Sequence, residues 1–345
     1  MSKSPDWPLG SPRQLRSNQR AEVWIADVEG GPAQLVYTST TVLLEAPNWA
    51  PDGQGLLLNG DGVLWRLDLD PTAEPEQLPL AGLPPINNDH VVDPGRSLIY
   101  LSANDGHIWV APLEGGTAVR VTHDSSRYHF LHGVSPDGTT LAFVELPVGD
   151  FSAPGRLALI SSVGGDTWYP EAGSQHLDGP EYSPDGAWLY FNTEDFGNRP
   201  GHAQLARVPA GGGPMERLVT SDTVDWFPHL SPDGGFATYI SFPTGTLGHP
   251  ADLDVEVKLV RTTNWADPIA RYPLFGGQGT INVNSWSPDG RRFSFLAYPF
   301  GALGDERLAS EQPEVRVMTP QPSAEASYRD EATPQTSSTR ARSSC

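Results

Sequence analysis

Seven short stretches of the chain carry more histidine, amide and acidic residues than ordinary turns require. They are NNDH at 87–90, RYHFLHG at 127–133, DGPE at 178–181, GHAQ at 201–204, DWFPH at 225–229, GHPAD at 248–252 and GGQGTINVN at 276–284. Imidazole and carboxylate side chains are the groups that proteins use most for proton transfer and for metal binding. These stretches therefore contain the candidate site residues.

The candidates divide by the chemistry that each side chain could supply. Proton transfer is assigned to three histidines and a glutamate: His132, His229, His249 and Glu181. Contacts with a ligand are assigned to polar and aromatic residues: Asn88, His90, Arg127, His202, Trp226, Gln278, Asn282 and Asn284. Three imidazoles, from His90, His132 and His229, could also hold a divalent metal such as Mn²⁺, Zn²⁺ or Ca²⁺.

A repeated turn indicates which elements position these residues. The turn starts at residues 50, 93, 135, 183, 231 and 287, and it reads Ser-Pro-Asp-Gly in the last four copies. Proline presets the backbone, aspartate bonds its own main chain and glycine accepts a positive φ, so each copy is a tight turn. The copies are separated by 42 to 56 residues, a spacing typical of one four-stranded propeller blade or slightly more.

The order of the hairpins predicts how the ring closes. Each turn mark joins the two inner strands of a blade, and a second recurrent unit forms an outer hairpin. The chain starts with an outer hairpin at 24–36 and reaches its last inner hairpin at 285–298. We therefore predict an all-β, six-bladed β-propeller with four-stranded blades, in which the N-terminal hairpin completes the last blade. This closure leaves no long sheet edge exposed.

The same pattern predicts the domain organisation. Residues 1–20 are polar and interrupted by proline, and we expect a flexible segment there. The propeller is expected over 21–300. Residues 301–345 are rich in Ser, Thr, Pro, Glu and Arg and have little periodicity, which predicts a mostly disordered tail.

The topology of a blade predicts that the seven stretches share one face. The connection into the innermost strand and the connection between the second and third strands emerge on the same side, whereas the turn marks emerge on the other. Five candidates lie two or three residues before a mark, and we expect them to point towards the central axis: His90, His132, Glu181, His229 and Asn284. A shared site at one mouth of the channel follows.

Composition limits the partners of the protein. The formal net charge is −20, which argues against nucleic acid and anionic membrane surfaces, because phosphate binding needs clustered Lys and Arg. No run of eighteen apolar residues occurs, and the first twenty residues lack the apolar core of a signal peptide. The one cysteine, Cys345, is the last residue. These features predict a cytoplasmic protein with no nucleic-acid or membrane partner.

The Ser-Pro-Asp-Gly marks with their following strands, as in EYSPDGAWLYFN at 181–192, resemble the WD-type repeats of the TolB-like propellers. The resemblance covers residues 20–300 and implies the six-bladed fold. TolB itself carries a leader and a small α/β domain before its propeller, and residues 1–20 have no room for that domain.

A looser resemblance is to the propeller oligogalacturonate lyases, which use channel histidines, a glutamine and Mn²⁺ to abstract a proton. It implies His90, His132, His229 and Gln278 as ligands and His249 or Glu181 as the base. The Gln-x-x-His-x-His run of those lyases is absent after Gln278.

Two functions remain open on the sequence. The first is an enzyme, a lyase or hydrolase with or without a metal, that acts on a small polar or saccharide-like ligand. A neutral sugar is favoured over an acidic one, because Arg127 is the main arginine near the predicted mouth. The second is a non-catalytic scaffold that binds a protein or a ligand, which would need exposed aromatic and arginine anchors. Convergent imidazoles and carboxylates favour the enzyme.

Overall fold

The structure is a computed structural model and describes residues 9–95 and 97–301. Residues 1–8 of the expected flexible segment and residues 302–345 of the expected tail lie outside the described residues. Within the described ranges every regular element is a β-strand. No helix long and apolar enough to span a membrane occurs in these ranges.

Twenty-four strands follow one another along the described chain. The first twelve are β1 (Ala21–Asp27), β2 (Gln34–Ser39), β3 (Glu45–Trp49), β4 (Gly55–Gly60), β5 (Val63–Asp68), β6 (Glu76–Gln77), β7 (Leu80–Ala81), β8 (Ile86–Val92), β9 (Leu98–Ala103), β10 (Ile108–Pro112), β11 (Gly116–Thr117) and β12 (Val119–Arg120). The others are β13 (Arg127–Val134), β14 (Thr140–Pro147), β15 (Arg156–Ser161), β16 (Leu177–Tyr182), β17 (Trp188–Thr193), β18 (Gln204–Pro209), β19 (Glu216–Arg217), β20 (Val224–Leu230), β21 (Phe236–Phe242), β22 (Ala251–Arg261), β23 (Ala270–Gly277) and β24 (Arg292–Ala297).

Twenty-two of these strands form six antiparallel blades, which confirms the predicted six-bladed, all-β propeller, and the remaining two, β7 and β11, pair with each other in parallel. Four blades have the orders β3-β4-β5-β6, β8-β9-β10-β12, β16-β17-β18-β19 and β20-β21-β22-β23. The sheet β13-β14-β15 gains its fourth member through an isolated bridge between Leu159 and Trp168. The sheet β2-β1-β24 gains its innermost member through a bridge between Trp286 and Phe293.

The ring closes where the first strand of the chain meets the last. Strand β1 pairs with β24 over six residue pairs, with Val23 opposite Leu296. Both side chains are fully buried and belong to one core with Leu56 and Leu58 of the next blade. The predicted closure by the N-terminal hairpin is therefore confirmed.

The turn marks have the local structure that their chemistry predicts. The Ser135 hydroxyl donates to Asp137 at 2.6 Å, the amide of Thr139 donates to the same carboxylate, and Gly138 has a φ of 67°. The same Ser-to-Asp bond recurs in the marks that start at residues 183, 231 and 287. The aspartates of these marks are engaged in building turns.

A β-bulge interrupts the inner strand of five blades. The register shifts at 45–48, 86–90, 131–133, 178–181 and 226–229. A bulge inserts extra backbone and changes the direction of the side chains on either side of it. In three of these blades the extra backbone includes a residue with positive φ: Ala46 at 50°, Gly179 at 65° and Phe227 at 54°. Residues before and after each bulge consequently face different surroundings.

We expect Val23→Ala to lower the free energy of unfolding by about 2 kcal/mol, because it opens space in the fully buried core at the ring closure. Val36→Ala on the neighbouring strand β2 is the matched control. Val36 is only half-buried, so its loss should be below about 1 kcal/mol. Urea denaturation followed by tryptophan fluorescence measures both variants. Equally small losses would show that the closing contact contributes little to the stability of the ring.

Candidate functional site

A cavity of about 470 Å³ lies at one mouth of the propeller. Each blade contributes to its lining the residue five positions before its turn mark: Glu45, Asn88, Phe130, Asp178, Trp226 and Asn282. Connections between second and third strands supply other parts of the wall, among them Asp61, Phe151 and His249. The cavity therefore lies on the side of the ring where those connections emerge, opposite the turn marks.

Asp178 is at the centre of a chain of polar contacts in this cavity. Its Oδ1 lies 3.1 Å from Nε2 of His132, and its Oδ2 lies 3.6 Å from Nε2 of His249. The other ring nitrogen of His249 contacts the side-chain oxygen of Gln278, and the Gln278 amide donates to Asn88 at 3.1 Å. Five side chains from four blades are thus held in one network.

The aromatic rings of the lining fix the two imidazoles. The ring of His132 stacks on Phe227 with centroids 5.6 Å apart, and the ring of His249 packs 4.5 Å from Trp226. Trp226 and Phe227 are themselves buried. The positive φ of Phe227 is unusual for a bulky residue, and backbone strain of this kind is found most often at functional sites.

Burial and mutual charge set the protonation of the carboxyl and imidazole groups. Burial, reinforced by the nearby charge of Asp178, raises the pKa of Asp89 to about 6, although the charges of His132 and His249 oppose the shift. Burial opposes protonation of His132, but the charges of Asp89 and Asp178 overcome it and raise the pKa of His132 to about 9. Burial would likewise raise the pKa of Asp178, but His132 and His249 hold it well below its ordinary value. The positive charge of His132 therefore interacts with both Asp89 and Asp178.

Asp89 has a carboxylate oxygen available for the cavity. Its Oδ2 accepts a hydrogen bond of 2.8 Å from Asn87, and the Asn87 side-chain oxygen accepts from the Asp89 amide at 2.9 Å. No other side-chain hydrogen bond to its carboxyl group is found among the described residues. The residue lines the cavity and is 5 % exposed.

A second polar layer lies on the other side of the bulges and does not line the cavity. Nδ1 of His229 contacts the Glu181 carboxylate at 2.6 Å, and its Nε2 contacts the carbonyl of Ile281, also at 2.6 Å. The Asn284 amide donates to Glu181 at 2.7 Å. Glu181 and His229 are buried, Asn284 is half-buried, and the three side chains are bonded to one another across three blades. This arrangement joins the inner strands and leaves both nitrogens of His229 occupied.

Residues 9–20, ahead of the first strand, run past the mouth and complete the cavity wall. Arg13 pairs with the buried carboxylate of Glu45, and its guanidinium donates to the Gln278 carbonyl at 2.8 Å. Burial raises the pKa of Glu45, against the opposing effects of Arg13 and Asn59. Gln19 donates to Asp252 at 2.6 Å. These contacts attach the segment to the ring, and the division of the chain at residue 20 stays a prediction.

Of the sequence candidates, six line the cavity: Asn88, His132, Trp226, His249, Gln278 and Asn282. Arg127 is half-buried at the start of β13, outside the lining. His202 lies in the b–c connection of its blade and donates to the Ser221 carbonyl at 3.0 Å. His90 is fully buried outside the lining, and burial lowers its pKa to about 4 despite a backbone contact with Leu57. The functional roles of these residues stay predictions.

The three imidazoles proposed as metal ligands are not brought together. His132 lines the cavity, His229 uses both ring nitrogens in the second layer, and neither ring nitrogen of His90 makes a regular hydrogen bond. Over the described ranges no group of three His, Cys, Asp or Glu side chains is arranged to hold a metal ion. The set His90, His132 and His229 therefore does not fit a metal ion, and no step is assigned to one.

Five charged residues of the cavity lining are not among the residues predicted from the sequence: Arg13, Glu45, Asp61, Asp89 and Asp178. The sequence contains a positional signal for two of these residues. Glu45 and Asp178 occupy the position five before the mark, which lines the cavity in all six blades. Asp89 follows that position by one residue. Arg13 precedes the first repeat, so no periodic pattern points to it.

Comparison with known proteins places this chain in a family. The chain is 35 % identical over 285 residues to the uncharacterized protein Atu1656 of Agrobacterium fabrum, covering 81 % of this chain and 93 % of that protein. A solved structure from Agrobacterium tumefaciens, provisionally described as TolB, has a TM-score of 0.73 and 34 % identity; the match covers 83 % of this chain and all of the other.

A TolB structure from Acinetobacter baumannii shares the fold, with a TM-score of 0.51 and 14 % identity over 76 % of this chain and 66 % of that chain. No family model matches the sequence. The chain is a six-bladed β-propeller. It belongs to the family of TolB-like propellers, and the WD-type character of its repeat stays a prediction.

We expect Asp178→Asn to lower the free energy of unfolding by about 3 kcal/mol, because it leaves His132 without its nearest carboxylate. The low pKa of Asp178 stabilises the fold above pH 3.8, and this contribution is lost as pH falls. The raised pKa of His132 stabilises it below pH 6.5, and this contribution is lost as pH rises towards 9. The difference from wild type should therefore be largest between these limits.

Urea denaturation at several pH values measures this difference. Asp166→Asn is the matched control, since Asp166 is exposed, and it should change stability by less than about 0.5 kcal/mol. A loss in Asp178→Asn that stays constant from pH 5 to pH 9 would contradict the ion pair.

Proposed function

We propose that this TolB-like propeller is an enzyme that transfers protons to or from a small polar, saccharide-sized ligand bound in the cavity. The volume of about 470 Å³ lies in the range of small-molecule sites. The lining combines aromatic walls with a few fixed polar groups, which is the usual composition of such sites. The observation that carries the proposal is the Asp89 carboxyl group, which lines the cavity and has a pKa near neutrality.

Asp89 is assigned the role of general base. At pH 7 a carboxyl group with a pKa of about 6 is mostly ionised, yet it accepts a proton far more readily than an ordinary aspartate. Its free oxygen would take a proton from a hydroxyl group, a bound water or an acidic C–H of the ligand. Either a hydrolase or a lyase reaction can begin with this step.

His132 is assigned the role of electrostatic partner. Its raised pKa keeps it positively charged at neutral pH, and the charge lies beside the carboxyl group that would receive the proton. A fixed positive charge stabilises the negative charge that develops on a ligand when its proton leaves. Asp178 and His249 then act as positioning residues, because they hold the His132 ring and the Gln278 amide in place.

The alternative is a non-catalytic propeller that uses the same cavity only to bind. Its support is the cavity lining, in which Gln278, Asn88 and Asn282 offer amide groups suited to a neutral ligand. This alternative shares the binding site with the enzyme and differs in needing no proton transfer. A variant that removes only the base separates the two.

We expect Asp89→Asn to reduce kcat by about 100-fold or more, since general base catalysis contributes factors of this size. KM for a neutral ligand should change little, because the amide keeps the shape of the carboxyl group. The assay follows conversion of neutral, amino and acidic mono- and disaccharides by proton NMR, after thermal-shift screening for binders. The wild-type rate should rise with pH through about 6, as Asp89 ionises.

Asp166→Asn, on the outer surface, is the control and should keep wild-type kcat. Turnover by Asp89→Asn at the wild-type rate would contradict the role of Asp89. A saccharide that binds in the cavity and is never converted would favour the non-catalytic alternative.

A further inference from the structure

The cations of the cavity are already paired with carboxylates. Arg13 is the one Lys or Arg among the described lining residues, and it pairs with Glu45. His132 pairs with Asp178 at 3.1 Å. A ligand with a carboxylate would therefore have to displace an existing partner to bind either cation.

Two further carboxylates of the lining have no such partner. Asp89 lies in the innermost strand of its blade, and Asp61 is exposed in the turn between β4 and β5. No Lys or Arg of the described residues forms an ion pair with either. Asp89 interacts with the charges of His132 and His249, and both imidazoles already contact Asp178. The lining therefore has an excess of negative charge.

Arg13 shows how the cavity accommodates a cation. Its guanidinium contacts a buried carboxylate and a carbonyl, and it lies 5.8 Å from the centre of the Tyr298 ring. Carboxylates together with aromatic faces are the groups that recognise organic cations. Phe130 and Phe151 provide further aromatic surface in the same lining, and Phe151 is 61 % exposed.

We propose, on the basis of the ligand site proposed above, that the ligand carries a protonated amino group and is an amino sugar or a compound of that size and charge. The amino group is recognised by the unpaired carboxylates of Asp89 and Asp61, and the apolar face of the ring by Phe130 and Phe151. We propose this ligand in place of the neutral sugar that the sequence favoured. The sequence shows that arginine is scarce near the mouth, but it does not show which aspartates lack a cationic partner.

Three sugars that differ mainly in charge test the proposal: glucosamine, glucose and glucuronate. Titration calorimetry at pH 6.5 on the full chain should show glucosamine binding about 10-fold more tightly than glucose, with glucuronate weakest, because opposite charges attract and like charges repel. Raising the salt concentration from about 50 to about 500 mM should weaken binding of glucosamine and leave glucose unchanged.

Two variants assign the preference to the carboxylates. Asp61→Asn should reduce the ratio of glucosamine to glucose affinity by about 3- to 5-fold, as expected for an exposed charge pair. Its φ of 53° is one that asparagine tolerates, so the fold should be kept. Asp89→Asn should reduce the ratio further, and Asp166→Asn should leave it at the wild-type value.

A second set of smaller probes separates this proposal from the proposed saccharide site. These are ethanolamine, ethylene glycol and glycolate, which are positive, neutral and negative. If no sugar binds but ethanolamine binds best, the cationic preference stands and the saccharide size is wrong. If glucose and glucuronate bind as well as glucosamine, the saccharide site stands and the cationic preference is overturned. Failure of both amines to bind at millimolar concentration also overturns it.

Discussion

The pairing of Ala21–Asp27 with Arg292–Ala297 joins the two ends of the propeller, and the geometry of the rest depends on it. An open ring would leave two long strand edges with unpaired backbone groups. The closed ring directs all six innermost strands to one axis, so equivalent residues of different blades meet there. The cavity lining is the consequence, since each blade supplies the residue five before its turn mark.

The fold could be predicted because its signals are local. Proline, aspartate and glycine specify each turn wherever they occur, and the order of the hairpins specifies the closure. The site could be predicted only in part, because regular alternation along the inner strand fails at the bulges. Asp178 and Glu181 belong to one tetrapeptide, but the bulge between them contains Gly179 with a φ of 65°. As a result, Asp178 lines the cavity and Glu181 belongs to the second layer. The prediction took residues two or three positions before each mark, which include Glu181, and so passed over Asp178 at five positions before its mark.

Burial gives the cavity its chemical character. Burial raises the pKa of Asp89, and although burial acts on Asp178 in the same direction, His132 and His249 hold the pKa of Asp178 well below its ordinary value. The second layer, with Glu181, His229 and Asn284, is equally polar, but its groups bond to each other. Polar residues at the axis therefore serve two purposes, and free hydrogen-bonding capacity distinguishes the ligand site from the structural layer.

The proposed catalytic role of Asp89 depends on the pH at which its carboxyl group ionises. Carbon-13 NMR of aspartate-labelled protein, with the Asp89 signal assigned from the Asp89→Asn variant, follows its carboxyl group across the pH range. We expect a midpoint near pH 6. A midpoint near 3.8, the ordinary value for aspartate, would contradict it.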